Sequence, residues 1–332
     1  MNKDLFAQPR RRGTARFFTS MFILALVGFA SYWYLSENSP LEAPDAPVIT
    51  AADSLATDAD TLVAEEASPI AMVSWNIEWF PGRTREPSLE QEQAHKLAVR
   101  EALPLIDADV YLLQEIRNQE VLEVLFADFP EYEIHIVSRF MRGDELGLQQ
   151  LAIVSRLPAL AAFAEPFVEA EDWQFSPPRG FSFAALELPN GRSLLVYNVH
   201  LKSNRGEASV NIPLREESAR QILAHIDSIE AHFPDPIVVV GGDFNLLLNR
   251  EGMDHERTLE YFFRVGFHSG WDQVPFAERV TWPARGRFDD ACFDYFVVRG
   301  VPPTRTELLT AFDHLSDHRP IRHWIPVQQP TH

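Results

Sequence analysis

The stretch VVVGGDFNLL, residues 238–247, is an apolar run that ends in two glycines and then presents an acid, an aromatic residue and an amide. The run is short, β-branched and bounded by turn residues, which predicts an interior strand. The glycines permit a turn or close packing where a side chain would not fit. Asp243 and Asn245 would face the same way if strand geometry continues. Such a pair suits a metal ion and an oxyanion, and an Asx-type turn is the structural alternative.

Strand-like and helical segments alternate on both sides of this stretch, and polar turns separate them. Several strands are apolar on both faces, which favours sheets covered by helices on each side. The pattern therefore predicts a mixed α/β domain. The predicted strands contain IAMVSWNIEW, DVYLLQEI, YEIHIVS, QQLAIVS, FSFAALEL, SLLVYNVHL, PIVVVGGDF, FDYFVV and IRHWI; one predicted helix begins near Ser88, and the others cover residues 121–126, 214–230 and 258–263.

The first 35 residues predict a single-pass anchor in the inner membrane. Residues 1–16 contain five basic residues and one acid, and the uncharged run FFTSMFILALVGFASYWYL follows over residues 17–35. Its length matches the roughly 20 residues that cross the hydrocarbon layer. The basic flank would stay in the cytoplasm, which places the rest of the chain in the periplasm or outside the cell. A cleaved signal peptide is the alternative, because Gly28 and Ala30 form a weak small-x-small site.

Residues 36–68 contain eight acids and no basic residue, and they are rich in Ala and Pro. This composition cannot bury a core and predicts a disordered acidic tether. The chain carries −19 in total, with +4 in the first sixteen residues and −8 in the tether, so residues 69–332 carry −15. An acidic domain gives no long-range attraction for nucleic acid or anionic lipid, although it is compatible with a local basic groove. Cys292 is the only cysteine, which excludes an intrachain disulfide.

Polar side chains recur where the predicted strands end. Each one alone has a structural explanation, and His200 by itself is typical of a satisfied, partly buried histidine. Their number favours a functional site. Strand-end carboxylates that converge with few His or Cys ligands favour Mg²⁺ or Mn²⁺ over zinc. The set comprises Asn76, Glu78, Glu115, His200, Asp243, Asn245, Asp294, Asp317 and His318.

The motifs WNIEWF, LLQEI, LAIVSR, NVHLKSN, GGDFN, FDYFVV and SDHRPI occur in this order within residues 70–326. Together they resemble the endonuclease/exonuclease/phosphatase superfamily, which includes deoxyribonuclease I and exonuclease III. The resemblance implies a four-layered α/β sandwich, with two central mixed β-sheets face to face, helices outside and the active site at one end of the sheets. It also implies hydrolysis of a phosphoester by a metal-activated water, in a catalytic domain that covers residues 69–332.

The resemblance implies that Glu115 is the principal metal ligand and that Asn76 and Asp317 assist it, with Mg²⁺ or Mn²⁺ as the ion. Few carboxylates and several retained waters are the usual environment of Mg²⁺. Glu78 stands two residues after Asn76, where it would approach a second metal site or face outward from the strand. The expected cofactor is therefore one ion, or two.

The resemblance implies that five residues act on the substrate and the water. Asp243 would orient or deprotonate the attacking water, and Asn245 would hold a phosphoryl oxygen. His200 would contact the phosphate or protonate the leaving oxygen. His318, paired with Asp294, would stabilise charge on phosphorus or act as the base. A carboxylate beside a histidine fixes its tautomer and stabilises its imidazolium form.

The motif HLKSN and the helix after it, with Arg215 and Arg220, resemble the extracellular bacterial nucleases of the superfamily more than its inositol-phosphate phosphatases. Lys202 would neutralise a nonbridging phosphate oxygen, or it would be a solvated lysine. One departure is DDACFDYFVV, where a Cys-Phe pair precedes Asp294 instead of the basic and aliphatic residues that the family more often has. The family's substrate contacts at this point therefore do not carry over.

These observations predict a membrane-anchored, metal-dependent phosphodiesterase that hydrolyses DNA or RNA outside the cytoplasm. The expected partners are nucleic acid and, through the N-terminal helix, the membrane; no protein partner is indicated. Hydrolysis of a phospholipid head group, as in the sphingomyelinase branch, is the second interpretation, with EDWQF at residues 171–175 as a candidate for bilayer insertion. A binding module without catalysis would require a broken site, and every core position carries a competent residue.

Overall fold

The computed structural model describes residues 68–169, 177–248 and 255–327. The predicted anchor, the tether up to residue 67 and the EDWQF segment lie outside the described residues, so the domain boundaries at residues 16, 35 and 68 stay predictions. Within the described residues, no helix combines the length and the apolar character that crossing a membrane requires.

Fourteen strands and four α-helices make up the described part of the chain. The strands are β1 Ile70–Phe80, β2 Val110–Ile116, β3 Glu133–Val137, β4 Met141–Arg142, β5 Glu145–Leu146, β6 Gln150–Ser155, β7 Ala159–Pro166, β8 Gly180–Glu187, β9 Ser193–His200, β10 Ile237–Asp243, β11 His268–Ser269, β12 Asp294–Arg299, β13 Thr306–Leu308 and β14 Ile321–Ile325. The helices are α1 Leu89–Ile106, α2 Gln119–Phe126, α3 Ala208–Ile229 and α4 Thr258–Phe263.

Twelve of the strands form two six-stranded sheets, and β4 and β5 form a separate hairpin. The first sheet has the order β13-β14-β1-β2-β6-β3, and the second has the order β11-β12-β10-β9-β8-β7. Both sheets are mixed, because β1 pairs parallel with β2 and antiparallel with β14, and β10 pairs parallel with β9 and antiparallel with β12. The α/β fold with mixed sheets that the sequence predicts is confirmed.

Alternation along the strands separates the layers, because successive side chains point to opposite faces of a sheet. In β1 and β2, Val73 and Leu113 pack with residues of α1 and α2, whereas Met72 and Leu112 share a core with the second sheet. Outside the second sheet, α3 contributes apolar side chains to the same core, and Tyr197 of β9 hydrogen-bonds His225 of α3 at 2.8 Å. The packing thus has helices, sheet, sheet and helices in succession.

The two sheets also share a buried polar contact. Gln114 of β2 donates through Nε2 to Asn198 Oδ1 of β9 at 2.8 Å. The Asn198 amide in turn donates to the backbone carbonyls of Leu113 and Ala152 in the first sheet, at 2.9 and 2.8 Å. Both side chains are fully buried. We refer to this contact, formed by Gln114 and Asn198, as the polar bridge.

The two glycines at the end of β10 serve close packing within the protein. A Cβ atom at Gly241 would lie 2.7 Å from Leu112 Cδ1 of the facing sheet, and one at Gly242 would lie 2.0 Å from the Val199 carbonyl oxygen of β9. Gly242 also has a φ of +143°, which side-chain-bearing residues rarely adopt. The backbone of β10 therefore approaches its neighbours as only glycine allows.

One helix boundary differs from the sequence prediction, and β4, β5, β7, β11 and β13 were not predicted. Helix α3 begins at Ala208, six residues before the predicted start at residue 214, and it contains Pro213. Strand β7 at the edge of the second sheet lacks an alternating apolar pattern, and it was not predicted; it consists of Ala159–Pro166 and is mostly half-buried. Pairing with β8 forms this strand, and a neighbour in space is not visible in a local sequence pattern.

Candidate active site

The predicted site residues come together at one edge of the two sheets. In the second sheet, Asp243 at the end of β10 lies beside His200 of the parallel strand β9 and beside Asp294 of the antiparallel strand β12. Asp294 is the first residue of β12, so its antiparallel direction brings the start of that strand to the same edge. In the first sheet, Asn76 and Glu115 lie near the ends of β1 and β2.

A hydrogen bond across the two sheets joins both halves of the site. The Asn76 side chain donates through Nδ2 to Asp243 Oδ2 at 3.1 Å and to Glu115 Oε1 at 3.4 Å. All three side chains are buried. Residues separated by 167 positions in sequence therefore lie in direct contact, and the site exists only where the two sheets face each other.

Asp243 lies between two histidines. His318 Nε2 is 3.7 Å and His200 Nε2 is 3.4 Å from Asp243 Oδ2. On its other side, His318 Nδ1 lies 2.8 Å from Asp294 Oδ2, which is the predicted pairing. These four groups form a row from Asp294 through His318 and Asp243 to His200.

Burial and neighbouring charge set different protonation states along this row. Burial, with a further contribution from Asp294, raises the pKa of Asp243 to about 7. Burial alone would lower the pKa of His318, but the carboxylates of Asp294 and Asp243 outweigh it and raise that pKa well above its ordinary value. Burial lowers the pKa of His200 well below its ordinary value, and Arg179 lowers it further. At neutral pH His318 is therefore cationic and His200 is neutral.

This arrangement can both accept and donate a proton. A general base works best when its pKa lies near the working pH, which is the condition that burial creates at Asp243. The cationic ring of His318 can offset negative charge that develops on a phosphoryl oxygen. Among the described residues, His200 Nδ1 is a buried atom without a hydrogen-bond partner. The other ring nitrogen of His200, Nε2, is the one that lies beside Asp243.

Carboxylates gather on the first-sheet side of the site. Glu115 Oε2 accepts a hydrogen bond from the Trp79 backbone N–H at 2.8 Å, and Asp317 Oδ2 accepts one from the Trp282 indole N–H at 3.2 Å. Burial raises the pKa of Glu78, and the charge of Asp317 raises it further. Glu78 thus lies near enough to Asp317 for their charges to interact, and its side chain is 19% exposed.

The bend in β1 explains how Glu78 reaches this position. The pairing of β1 with β2 shifts register between Asn76 and Phe80, and both Glu78 and Trp79 have positive φ, at 36° and 50°. Such bulges redirect side chains at the rim of a sheet. Arg83 pairs with Glu78 Oε2 at 2.7 Å, so one cation already offsets part of the charge.

The donor set fits a hard divalent cation. Glu115, Asp317 and Glu78 offer carboxylate oxygens, and a cation would relieve the repulsion by which Asp317 adds to the effect of burial on the pKa of Glu78. Asn76 would have to turn its Oδ1 towards the ion, because this atom accepts from the Glu78 N–H at 3.1 Å. When bound, Mg²⁺ or Mn²⁺ would polarise the phosphoester and lower the pKa of water.

A second group of potential ligands lies in the row described above. Among the described residues, Asp243, Asp294 and His318 are the one group of three His, Cys, Asp or Glu residues whose ligand atoms lie within 4.8 Å of one another. A metal ion at this position would have to displace the proton that the two carboxylates stabilise on His318. We therefore assign proton transfer to the row and the ion to the carboxylates of the first sheet.

Asp243 and Asn245 do not share a strand face, contrary to one sequence expectation. Strand β10 ends at Asp243, and Asn245 has a φ of 56°. Asp243 Oδ1 accepts the Asn245 backbone N–H at 2.9 Å, which is the Asx-type turn considered as the alternative. The Asn245 side chain reaches back to the Leu201 carbonyl at 3.2 Å. The Asx-type turn is therefore formed by two of the predicted site residues, Asp243 and Asn245.

Lys202 is partly exposed, and its side chain folds onto its own loop. Its ammonium donates to the carbonyls of Ser203 and Arg205 at 2.8 and 3.0 Å, within its own loop. Burial lowers its pKa, and the charges of Arg215 and Arg179 lower it further. A substrate phosphate would have to compete with these two carbonyls for the ammonium.

Arg179 is a site residue that sequence reasoning missed. Its Nε donates to the His200 carbonyl at 2.9 Å and its Nη2 donates to the Leu201 carbonyl at 3.1 Å. Burial lowers its pKa, whereas the charges of Glu115 and Asp243 act to raise it. The available signal was a single arginine after two prolines at the start of a predicted strand, which is too common to identify a site.

Further arginines surround this acidic centre. Arg142 lies close enough to Arg179 to lower its pKa, and Arg83 and Arg285 lower the pKa of Glu78. The domain as a whole is acidic, so a cluster of guanidinium groups at one edge is a local exception. These arginines supply local positive charge despite the negative net charge of the domain.

Aromatic rings lead from this edge to the surface. Phe293 lies 5.9 Å from the His318 ring, Trp282 lies 5.6 Å from Phe293, and Phe288 lies 6.2 Å from Trp282. Phe288 is 52% exposed and closes a bridge with Arg285. Phe293, a departure from the family pattern, is therefore part of a row of rings that ends at an exposed side chain.

Comparison with known proteins agrees with this geometry. The Endonuclease/Exonuclease/phosphatase family profile matches residues 73–318. Similar solved structures include truncated Caenorhabditis elegans TDP2, with a TM-score of 0.57, 18% identity and coverage of 78% of this chain and 98% of that chain. The endonuclease/exonuclease/phosphatase from Bacteroides vulgatus gives a TM-score of 0.60, 19% identity and coverage of 77% and 98%. No curated protein sequence matches this chain significantly.

The structural likeness, at these identities, concerns the fold alone. The family profile carries the assignment, because it spans the chain from β1 to His318 and includes each residue that meets at the edge of the two sheets. This chain belongs to the endonuclease/exonuclease/phosphatase family and is a phosphoester hydrolase.

Proposed function

We propose that the protein is a divalent-metal-dependent phosphodiesterase that hydrolyses nucleic acid. The observation that supports this most is the buried row Asp294, His318, Asp243 and His200 beside the carboxylates of the first sheet. One part of this arrangement handles protons, and the other suits a hard cation.

Each residue has a defined task in the proposed reaction. Asp243 accepts the proton of the attacking water. His318, held by Asp294, offsets the negative charge on the phosphoryl oxygens, and Asn245 orients one of them. His200 contacts the phosphate or donates its N–H to the leaving oxygen. Excluding bulk water from these buried groups strengthens each interaction.

Nucleic acid is the proposed substrate because two features beside the site suit it: arginines that can bind phosphates, and an exposed aromatic ring that can stack on a base. The arginines around the acidic centre suit the neighbouring phosphates of a polynucleotide. The exposed ring of Phe288 suits stacking on a base, with Arg287 5.2 Å from the ring. A phospholipid head group offers one phosphate and no base.

Hydrolysis of plasmid DNA, RNA and sphingomyelin vesicles with Mg²⁺ or Mn²⁺ tests the proposal directly. We expect cleavage of at least one nucleic acid, its loss in excess chelator, and its loss in Asp243→Ala. Cleavage of sphingomyelin alone would reassign the substrate, and undiminished cleavage by Asp243→Ala would contradict the role proposed for Asp243.

Glu115→Gln is expected to raise the Mg²⁺ concentration needed for half-maximal activity by about 10-fold or more. Removing one negative charge from a water-rich site weakens the binding of the ion. The thermal midpoint should change little, since the Trp79 N–H retains an oxygen acceptor. Activity at a series of Mg²⁺ concentrations measures the shift, with Glu123→Gln on the exposed face of α2 as the control. An unchanged Mg²⁺ requirement would remove Glu115 from the metal site.

Phe288→Ala is expected to raise KM for single-stranded nucleic acid by about 5- to 50-fold, because a base stacked on an aromatic ring gains roughly 1–3 kcal/mol. Hydrolysis of bis-p-nitrophenyl phosphate, which is too small to reach this ring, should be unaffected. Exposed Phe263 on α4 offers a matched control as Phe263→Ala. Equal losses on both substrates would show that Phe288 supports the site instead of binding a base.

Membrane anchoring through residues 17–35 remains a proposal that rests on the basic flank and the apolar run. We expect the full chain in the inner-membrane fraction, and we expect residues 69–332 to be digested when intact spheroplasts meet an external protease. A soluble mature form that begins near residue 31 would support the cleaved signal peptide instead.

A further inference from the structure

Arg215 and Glu256 form an ion pair that lies outside the reacting groups and is completely buried. Both side chains are 0% exposed. Arg215 Nε and Nη2 donate to the two carboxylate oxygens of Glu256 at 2.7 and 2.6 Å. Glu256 also accepts from the Thr258 hydroxyl at 2.7 Å, at the start of α4. The pair thus ties α3 to α4 behind the second sheet.

The third nitrogen of the Arg215 guanidinium, Nη1, bonds to the loop beside the active site. Arg215 Nη1 donates to the Lys202 carbonyl at 2.9 Å. Lys202 belongs to residues 201–206, which we call the site loop and which directly follow His200. The preceding carbonyls, those of His200 and Leu201, are bonded by Arg179. Three successive carbonyls are therefore held by two guanidinium groups.

Hydrogen bonds in both directions connect the site loop with Asn245. Asn245 Nδ2 donates to the Leu201 carbonyl at 3.2 Å, and Asn204 Nδ2 donates to the Asn245 carbonyl at 2.6 Å. The Leu201 N–H donates to the Asp243 carbonyl at 2.8 Å. A displacement of the site loop would consequently move Asn245 and the end of β9 together.

Stability alone is a poor explanation for this ion pair. Burying two charges costs desolvation free energy, and well-packed apolar side chains of similar volume are often as stabilising. An arginine does offer something that an apolar side chain lacks, because its planar fork can grip a carboxylate and still present another donor. In this protein the additional donor bonds to a backbone carbonyl of the site loop.

We propose that Arg215 and Glu256 are a positioning pair that holds the site loop in the geometry needed by His200 and Asn245. Neither residue touches the reacting phosphate. Glu256 fixes the orientation of the guanidinium, and the guanidinium fixes the Lys202 carbonyl. This inference rests on the proposed function of the site, in which His200 and Asn245 contact the phosphate.

The deciding variant is the double replacement Arg215→Met and Glu256→Met, which removes both charges and leaves an apolar contact. We expect its thermal midpoint to lie close to that of wild type, and closer than that of Arg215→Met, which buries the Glu256 charge without a partner. Its kcat on the cleaved nucleic acid should nevertheless fall by about 10-fold or more, with a smaller change in KM, because slight misplacement of substrate-positioning groups is costly. Arg299→Met, which breaks an ion pair with Glu230 at the other end of α3, is the matched control and should retain kcat.

Amide hydrogen exchange gives a readout that does not depend on catalysis. Residues 201–206 should exchange faster in the double variant, while the strands of both sheets keep their protection. If the wild-type protein hydrolyses no phosphodiester but the site loop still exchanges faster in the double variant than in wild type, the proposed function fails and the positioning pair stands. Wild-type kcat together with unchanged exchange of the site loop would overturn the inference. If the double variant fails to fold, Glu256→Gln and Arg215→Lys are judged by the same two outcomes.

Discussion

Asp243→Asn is expected to lower kcat/KM by about 1000-fold or more, because the amide cannot accept a proton from the attacking water. Substrate affinity should change little, since the replacement keeps the shape of the side chain and removes a negative charge that repels phosphate. Steady-state kinetics with saturating Mg²⁺ measures the loss. Binding of labelled nucleic acid to the variant measures the affinity separately.

The same substitution should leave the fold intact. Burial raises the pKa of Asp243, which means that the folded protein disfavours the ionised form. A neutral amide avoids that cost but gives up one of the two oxygens that accept from Asn76 and the Asn245 N–H, so the thermal midpoint of Asp243→Asn without metal should stay close to that of wild type. Low activity in a destabilised protein would instead point to a structural role, and activity above a tenth of wild type would exclude Asp243 as the base.

His318→Ala is expected to lower kcat by about 100-fold or more, with a smaller change in KM, because its charge is needed most as the phosphoryl group reacts. Asp294→Asn should cause part of the same loss, since Asp294 Oδ2 lies 2.8 Å from the ring and holds it cationic. The double variant should be little worse than His318→Ala, because the two residues act as one unit.

The control for His318→Ala separates catalysis from packing. If His318 were only a satisfied buried histidine, its removal would lower the thermal midpoint while the remaining folded enzyme kept near-normal kcat. Additive losses in the double variant would likewise show that Asp294 and His318 act separately. Thermal melts and active-site titration on the same preparations distinguish these cases.

The local pattern of the sequence was enough to predict most strands and the edge at which the site forms. Apolar runs that end in polar residues mark strand ends, and Asp243 beside His200 and Asp294 follows from such ends meeting in one sheet. The resemblance to a known family added the roles. Neither source could show that Asn76 meets Asp243, because that contact depends on how two sheets pack.

The features that escaped prediction involve contacts of charged side chains whose partners a local pattern does not show. Arg179 donates to carbonyls of the next strand, and Lys202 donates to carbonyls of its own loop. Arg215 was noted only as part of a resemblance, although its guanidinium is fully buried. Residue type and spacing predict which element forms, but the partner of a polar side chain depends on the tertiary fold.

The glycines of GGDFN illustrate the same limit in a different way. The sequence correctly indicates close approach at this point, and the resemblance suggested the phosphate as the approaching group. In the structure, the atoms nearest to an added Cβ belong to Val199, Phe296 and Leu112. The glycines in the sequence indicate that a side chain would not fit at this point. Only the structure shows which groups lie against them.

The polar bridge between Gln114 and Asn198 has a consequence for how the catalytic edge is assembled. Apolar faces slide over each other at little cost, since burial depends on area and not on alignment. A slip of one sheet by two residues along its strands would part Asn76 from Asp243 by about 7 Å. Such a slip would also leave the buried Asn198 amide without its three partners in the first sheet, which costs free energy. The polar bridge therefore favours one relative alignment of the two sheets. In that alignment Asn76 of the first sheet meets Asp243 of the second.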